Sequence, residues 1–378
     1  MKNVLFITHH YLHGNGGGCF ASRAYINAVA EIAEKVTLLA PMKVGMEPEH
    51  INENVDVRLC HDGRSKYLRG LDILRGHIHR YYDRVESTLM EGGYDTVIFD
   101  NSMCSFGQID VAHKFGCKVI VIHHNCQYEY AKDNVRSFLD RLSLRWIKRC
   151  ESDSVLMADL GLALTENDVR RLQNDYAGDK VCKIKYIGTF EYCRKALLDV
   201  SGRKPVDKTL RFLITGSLSS KQTYESLKSW IDKYYPALLE VAPDSILTIA
   251  GKDPSESLAE LCARNSINLV PSPVSMDPLL LESDYYICPV SMGGGIKLRI
   301  MDGLKAGLPV ITHNVSLRGY EEFEGKCVFG YSDVPSFKNS LSRMLETRCT
   351  PEDIQHRYTG RFSFESGVSR MRLILEKY

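Results

Sequence analysis

The sequence predicts an α/β fold of two doubly wound halves, each a parallel sheet with helices between its strands. Three observations predict it. Apolar runs of strand length alternate with stretches of helical period along most of the chain. Glycine turns recur where those strands end: HHYLHGNGGG at 9–18, GSLSSK at 216–221 and SMGGG at 291–295. The length, 378 residues, is too great for one ordinary core. A polar run carrying Gly and Pro, DVSGRKPVDKT at 199–209, reads as the joint between the halves. The expected domains are 1–200, a linker at 201–209, 210–350, and a helical segment 351–378 that packs back on the N-terminal domain.

Composition narrows the class. A hydrophobic content of 44% with 25% charged residues is that of an ordinary soluble globular protein. The net charge of +1 excludes a globally basic nucleic-acid binder. The 12 cysteines are scattered, form no C-x-x-C pair, and include Cys60, Cys117 and Cys288 inside apolar runs. That usage fits reduced, buried thiols in a cytoplasm. Val4–Ile7 is too short for a signal-peptide core, and no run approaches the ~20 apolar residues of a membrane span.

In the N-terminal half Lys2–Thr8 reads as a strand, His9–Gly18 as a loop, Cys19–Ala33 as an amphipathic helix and Lys35–Ala40 as the next strand. This places a glycine loop at the carboxyl end of a first strand, the edge where open α/β sheets bind ligands. Its spacing is not G-x-G-x-x-G, and no acidic residue closes the second strand, so a dinucleotide site is not indicated. The loop is either a permissive turn or the wall of a substrate cleft. Val55–Cys60 is a strand, and Gly63–Glu91 is helical and basic at its start. Thr96–Phe99 is a strand ending in Asp100-Asn101, and Lys118–Ile122 one ending in His123-His124-Asn125. A neutral imidazole at that edge can bond a sugar hydroxyl or move a proton. A metal pair is disfavoured, because no third ligand stands at metal-site spacing. Ser137–Ser152 is a basic helix, 154–164 contains a strand, and Thr165 with Asp168 marks a helix start. Lys183–Ile187 is the last strand of this half.

The second half repeats the pattern. Leu210–Thr215 is a strand, followed by Gly216-Ser217-Leu218-Ser219-Ser220-Lys221 and the helix Thr223–Tyr234. Ser245–Ala250 and Ile267–Val270 are strands around the helix Ser257–Asn265. Tyr285–Pro289 leads into the three glycines Gly293, Gly294 and Gly295. A helix then carries Ile296, Lys297 in its first turn and Asp302 near its middle, and closes at Gly307 and Pro309. A glycine turn opening a helix suits an anion, since backbone N–H groups can approach phosphate oxygens. Asp302 suits a ribose diol. The isolated motif also fits a tight turn with a solvated lysine. The chain ends in the helix Ser363–Tyr378.

GSLSSKQTYESLKSW, YPALLEVAPDSILTIAGKDP and YYICPVSMGGGIKLRIMDGLKAGLPVITH follow one another in an order and spacing that resemble the C-terminal domain of GT-B glycosyltransferases. Family 4, which is retaining and nucleotide-sugar-dependent, is the nearest likeness. RCESDSVLMADLGLALTENDVRRL and FSFESGVSRMRLILEKY resemble other segments of that family. The resemblance implies a GT-B fold, two Rossmann-like doubly wound domains facing a central cleft. It assigns Gly293, Gly294, Gly295, Ile296 and Lys297 to the donor diphosphate, with Asp302 on the ribose. Gly216, Ser217 and Lys221 fall at a second phosphate-contacting turn, which here lacks the family's usual arginine. Gly16, Gly17 and Gly18 would approach the donor phosphates, and His124 or His123 the transferred sugar. Gly294 stands where the first Glu of the family's E-x7-E pair belongs, and Asp302 replaces the second. These departures leave the donor sugar open.

The implied activity is hexosyl transfer from a nucleoside diphosphate sugar to a glycan or lipid-linked acceptor hydroxyl in polysaccharide or cell-surface glycan synthesis. Leaving-group-assisted attack on the same face is expected, with no metal and no cofactor beyond the sugar nucleotide. Catalysis would rest on charge stabilisation of the departing diphosphate. A GT-B-fold sugar-nucleotide epimerase and a non-catalytic sugar-nucleotide-binding subunit are the alternatives. Basic segments 64–84 and 136–149 suggest peripheral contact with the inner face of a membrane.

Overall fold

The computed structural model describes residues 1–14, 16–42, 45–60, 82–133, 135, 137–178, 183–203, 209–219, 221–292 and 295–378. Among the described residues thirteen strands form two sheets, with every strand pairing parallel. The first holds β1 (Asn3–Thr8), β2 (Lys35–Pro41), β3 (Val55–Cys60), β4 (Thr96–Asp100), β5 (Lys118–His123), β6 (Leu160–Ala163) and β7 (Ile184–Tyr186). The second holds β8 (Arg211–Ser217), β9 (Ile246–Lys252), β10 (Asn268–Pro271), β11 (Tyr285–Cys288), β12 (Val310–His313) and β13 (Val328–Tyr331).

Their orders are β3-β2-β1-β4-β5-β6-β7 and β10-β9-β8-β11-β12-β13. Each sheet is wound outward in both directions from its first strand. The chain therefore reverses direction between β1 and β4, and again between β8 and β11. Loops part at those two places, and ligands of such sheets bind there.

Both faces of the central strands are covered. Val4, Leu5, Phe6 and Ile7 of β1 are all buried, as are Val119 to Ile122 of β5. A strand buried on both sides reads as an unbroken apolar run. Elsewhere tertiary packing moved the boundaries. The helix expected at Ser137–Ser152 extends to Met157, capped by a reciprocal Ser137–Asp140 box, so β6 is short. β13 and the helix Val334–Leu345 carry no strong sequence signal, yet Phe337, Leu341 and Met344 join the second core beside Trp230 and Tyr331. Cys60, Cys117 and Cys288 are buried free thiols. Among the described residues no helix is long and apolar enough to cross a membrane.

Two compact units emerge: Met1–Lys195 with Ser363–Tyr378, and Ala196–Phe362. The first boundary lies upstream of the 201–209 stretch that composition singled out. Residues after β7 stay with the first unit because helix Gly17–Ala30 holds them. Tyr25 Oη donates to Gly188 O at 2.7 Å, and Asn27 Nδ2 to Tyr192 O at 2.7 Å. The 351–378 segment divides as well. Helix Pro351–Phe362 belongs to the second unit, where Gln355 Nε2 donates to Leu198 O and Lys305 O. Helix Phe364–Glu376 belongs to the first.

Gly367 explains how that last helix seats. A Cβ there would lie 2.1 Å from the ring of fully buried Phe190. Gly367→Ala is expected to destabilise the protein by about 2 kcal/mol through overpacking, even after the ~1 kcal/mol that alanine gains over glycine in a helix. Urea denaturation checks this, and an unchanged or raised midpoint would contradict it.

Candidate functional site

The carboxyl edge of the first sheet gathers polar side chains where the chain reverses. Thr8 ends β1 and Asp100 ends β4, paired in register. His124 follows β5. Asp100 is fully buried and accepts from Thr8 Oγ1 at 2.7 Å, from Ser22 Oγ, and from His124 Nε2 at 2.6 Å. Burial pushes the Asp100 carboxyl up. The neighbouring His124, its hydrogen bond, His10 and Ser22 outweigh that and hold the carboxyl below the usual range. The pair is therefore a charged acid fixing one nitrogen of one imidazole.

The other histidines are different. His10 is brought down to about 3 by burial, with His9 and His124 adding to the effect against the pull of Asp100. His123 is brought down to about 4, again mainly by burial. It lies within β5 against Gly161, whose Cβ position is 3.6 Å from its Nε2, and both ring nitrogens are buried without a described partner. Of the two histidines singled out in the sequence, His124 joins the polar cluster, and His123 packs into the sheet. His9 Nδ1 lies 3.3 Å from Cys104 Sγ. Asn101, between Asp100 and a short helix, has φ 136°, a strained conformation for a side-chain-bearing residue, and accepts from Met103 N at 3.0 Å.

In the glycine loop beside this cluster, packing calls for glycine at Gly18 and not at Gly16. Gly16 caps helix Gly17–Ala30 with φ −72°, and nothing stands within 4 Å of its Cβ position. Gly18 is needed for contact: a Cβ would fall 2.4 Å from His10 Cε1. Gly16 and Gly17 are exposed, so the helix start is open to solvent.

In the second unit, β11 runs into Ser291 and Met292. Gly293 and Gly294 lie outside the described residues. Gly295 has φ +74°, which only glycine adopts without strain. The following helix is Arg299–Lys305, shorter than expected. Ile296 and Lys297 precede it, and Asp302 sits in its first turn, not its middle. The cause is tertiary. Tyr320 Oη donates to Lys297 O at 3.0 Å and holds this segment in place. The first turn is then closed by three-residue bonds, Ile300 N to Lys297 O and Met301 N to Leu298 O. The helix end is as expected. Gly307, at φ +70°, donates to Leu304 O, and Leu308 N donates to Gly303 O, the paired bonds of a Schellman stop.

Lys297 is half-buried. Burial lowers its pKa, and Arg318 and Arg299 lower it further against an opposing effect of Cys288. Three cations thus share one patch beside Gly295. Asp302 is exposed next to it. Gly216 and Ser217 end β8, with Ser217 Oγ 3.3 Å from Ser219 Oγ. Lys221 opens helix Lys221–Val241, and its side chain lies outside the described residues. Among the described residues no three His, Cys, Asp or Glu side chains are placed to hold a metal ion. Sequence reasoning passed over Thr8, Ser22, Asp100, Arg299 and Arg318. Asp100 had one usable signal, an acid closing a strand at the ligand edge.

Residues 209–347 match the family model of glycosyl transferases group 1. No curated protein sequence matches the chain. Among solved structures, sucrose-phosphate synthase from Thermosynechococcus elongatus superposes with a TM-score of 0.70 at 13% identity, over 100% of this chain and 99% of that one. HepE of Anabaena in complex with UDP-glucose gives 0.65 at 12% identity, covering 100% of both chains. A glycosyltransferase from Rickettsia africae gives 0.66 at 13% identity, over 100% and 99%. At these identities the superpositions speak to the fold. They agree with the two parallel sheets, and the group 1 match falls on the unit that carries Gly295, Lys297 and Asp302, so the protein is a glycosyltransferase of the GT-B fold.

Proposed function

We propose that the protein moves a hexosyl unit, with retention, from a nucleoside diphosphate sugar to a hydroxyl of a glycan or lipid-linked acceptor. It would act in polysaccharide or cell-surface glycan synthesis on the cytoplasmic side of a membrane. One observation carries the donor half of this reading. Lys297 is half-buried and crowded by two arginines, which makes its cationic form costly until a polyanion arrives. HepE holds UDP-glucose, which favours UDP-sugars among the donors to try.

In the reaction the bond from the anomeric carbon to the diphosphate oxygen breaks, and the acceptor oxygen bonds to the same face. The acceptor's proton leaves with the diphosphate. Lys297 balances the growing charge on that leaving group, strongest in the transition state. His124 serves the sugar. Asp100 is ionised, so it accepts from His124 Nε2 and fixes the ring, which leaves Nδ1 as the nitrogen to hydrogen-bond a sugar hydroxyl. Lysine and backbone N–H groups meet the diphosphate, and no metal is needed.

The test mixes the whole chain with a panel of sugar nucleotides, with and without lipid extract, in the presence of EDTA. Nucleoside diphosphate released only with acceptor supports the proposal. Epimerised sugar without acceptor would replace it with an epimerase, and binding without turnover would replace it with a binding subunit. Loss of turnover on adding EDTA would overturn the metal-free reading.

A membrane-bound acceptor is favoured by helix Phe138–Met157. Phe138 is 74% exposed and Leu142 46% exposed, one turn apart, with Arg141 and Arg145 exposed beside them. Apolar side chains among cations suit an anionic lipid surface. Segment 64–84 lies almost wholly outside the described residues. The protein is expected to float with anionic liposomes at low salt, and the double substitution Phe138→Ser with Leu142→Ser to weaken that by about tenfold, at ~0.8 kcal/mol per buried methylene. A wild-type protein that stays at the bottom of the gradient would dismiss the idea.

A further inference from the structure

We propose that Arg299 is a second diphosphate-holding cation of the donor site, reaching from the segment after β11 across to the turn after β8. The inference rests on the nucleotide-sugar reading and deepens it.

β8 and β11 are neighbours at the reversal point of the second sheet. Their outgoing loops part there, which opens the edge between them to a ligand. Gly216 is near the end of β8, and Arg299 opens the helix after β11. A Cβ on Gly216 would lie 2.5 Å from Arg299 Cζ and 2.7 Å from both terminal nitrogens. The guanidinium therefore rests on the bare backbone of that turn, in space that a side chain would fill. Arg299 Nη2 donates to Thr223 Oγ1 at 3.2 Å. That hydroxyl is neutral and takes one of the five N–H donors a guanidinium has.

The charge bears on a ligand too. Arg299 is one of the two arginines that lower the Lys297 pKa, so two cations on one segment face a shared field. Like charges held together this way are stabilised by an anion spanning both. A diphosphate has the charge and the length. The planar fork of an arginine fits two phosphate oxygens, where a lysine offers a point charge. Lys297 would meet the diphosphate beside Gly295, and Arg299 would meet it over Gly216.

The experiment is calorimetric titration of the whole chain with UDP, GDP and ADP, each beside its own nucleoside. Arg299→Ala is expected to weaken the best-bound diphosphate by about 10- to 100-fold, leaving nucleoside binding unchanged. Arg299→Lys should recover part of the loss. Gly216→Ala approaches the same contact from the other side. The clash it creates falls on the flexible end of Arg299, so the fold survives and the guanidinium moves away. Its loss of diphosphate affinity should match that of Arg299→Ala, and the double variant should be no weaker than either alone. If Arg299→Ala unfolds, the lysine and Gly216→Ala variants still decide the matter. Wild-type affinity for the diphosphate in Arg299→Ala, or additive losses in the double variant, would overturn the assignment while leaving the nucleotide-sugar reading intact. A wild-type protein that binds no nucleoside diphosphate would overturn both.

Discussion

Lys297→Ala should lower turnover by at least ~10²-fold, with a smaller effect on KM for the donor. Charge on the departing diphosphate grows toward the transition state, so its stabiliser acts more there than in the ground state. The same lysine predicts a pH dependence. Burial and two arginines lower its pKa below that of a free lysine. The cation is present at low pH and is lost as pH rises through that lowered value. Affinity for a nucleoside diphosphate should therefore decline on the alkaline side, at lower pH than an unperturbed lysine would lose its proton. Titration calorimetry across the alkaline range reads the effect. In Lys297→Ala the decline should vanish. Near-wild-type turnover in that variant would remove Lys297 from the reaction.

Asp100→Asn should cost about 10²-fold or more in turnover with little change in overall shape. The carboxylate fixes the imidazole proton on Nε2. An amide of the same size can turn its NH2 toward His124, which then must accept on Nε2 and carry its proton on Nδ1. The hydrogen-bonding sense presented to the sugar is reversed. Donor kinetics separate this from a structural defect, since a reversed bond to the sugar changes kcat and KM of the folded enzyme unequally, whereas a loosened fold only lowers the active fraction. Stability should respond as well. The folded pKa of Asp100 lies below its unfolded value. Its contribution is present above the unfolded carboxylate value of about 3.9 and is lost as pH falls through the folded one. The variant should be less stable at neutral pH, and the gap should narrow in acid. Equal turnover in the two proteins would make Asp100 a structural residue only.

Much of the fold was legible because the sheets are buried on both faces, which writes strands as apolar runs. Helix ends were legible too, because Gly307 as a stop and Thr165 as a start act within a turn of their own chain. Thr165 Oγ1 accepts from Asp168 N at 2.9 Å as the spacing implied. Other features depend on distant partners. The late start of helix Arg299–Lys305 is tied to Tyr320, 23 residues away. Asp100 draws on Thr8, Ser22 and His124, at separations of 92, 78 and 24 residues. Arg299 meets Gly216 and Thr223 only after β8 and β11 have paired. A local pattern can announce a glycine loop or a terminal cap. It cannot announce which cation crosses to which turn.

The division at Lys195 and Phe362 has a consequence for synthesis. The second unit, Ala196–Phe362, is one uninterrupted stretch, so it can complete its own core as soon as it has left the ribosome. The first unit is begun earlier and closed later, because Phe190 waits for the helix that carries Gly367. Until then a nascent chain carries an apolar surface meant for that helix, and chaperones or a stalled neighbour can reach it. The half that translation starts first is the half it finishes last.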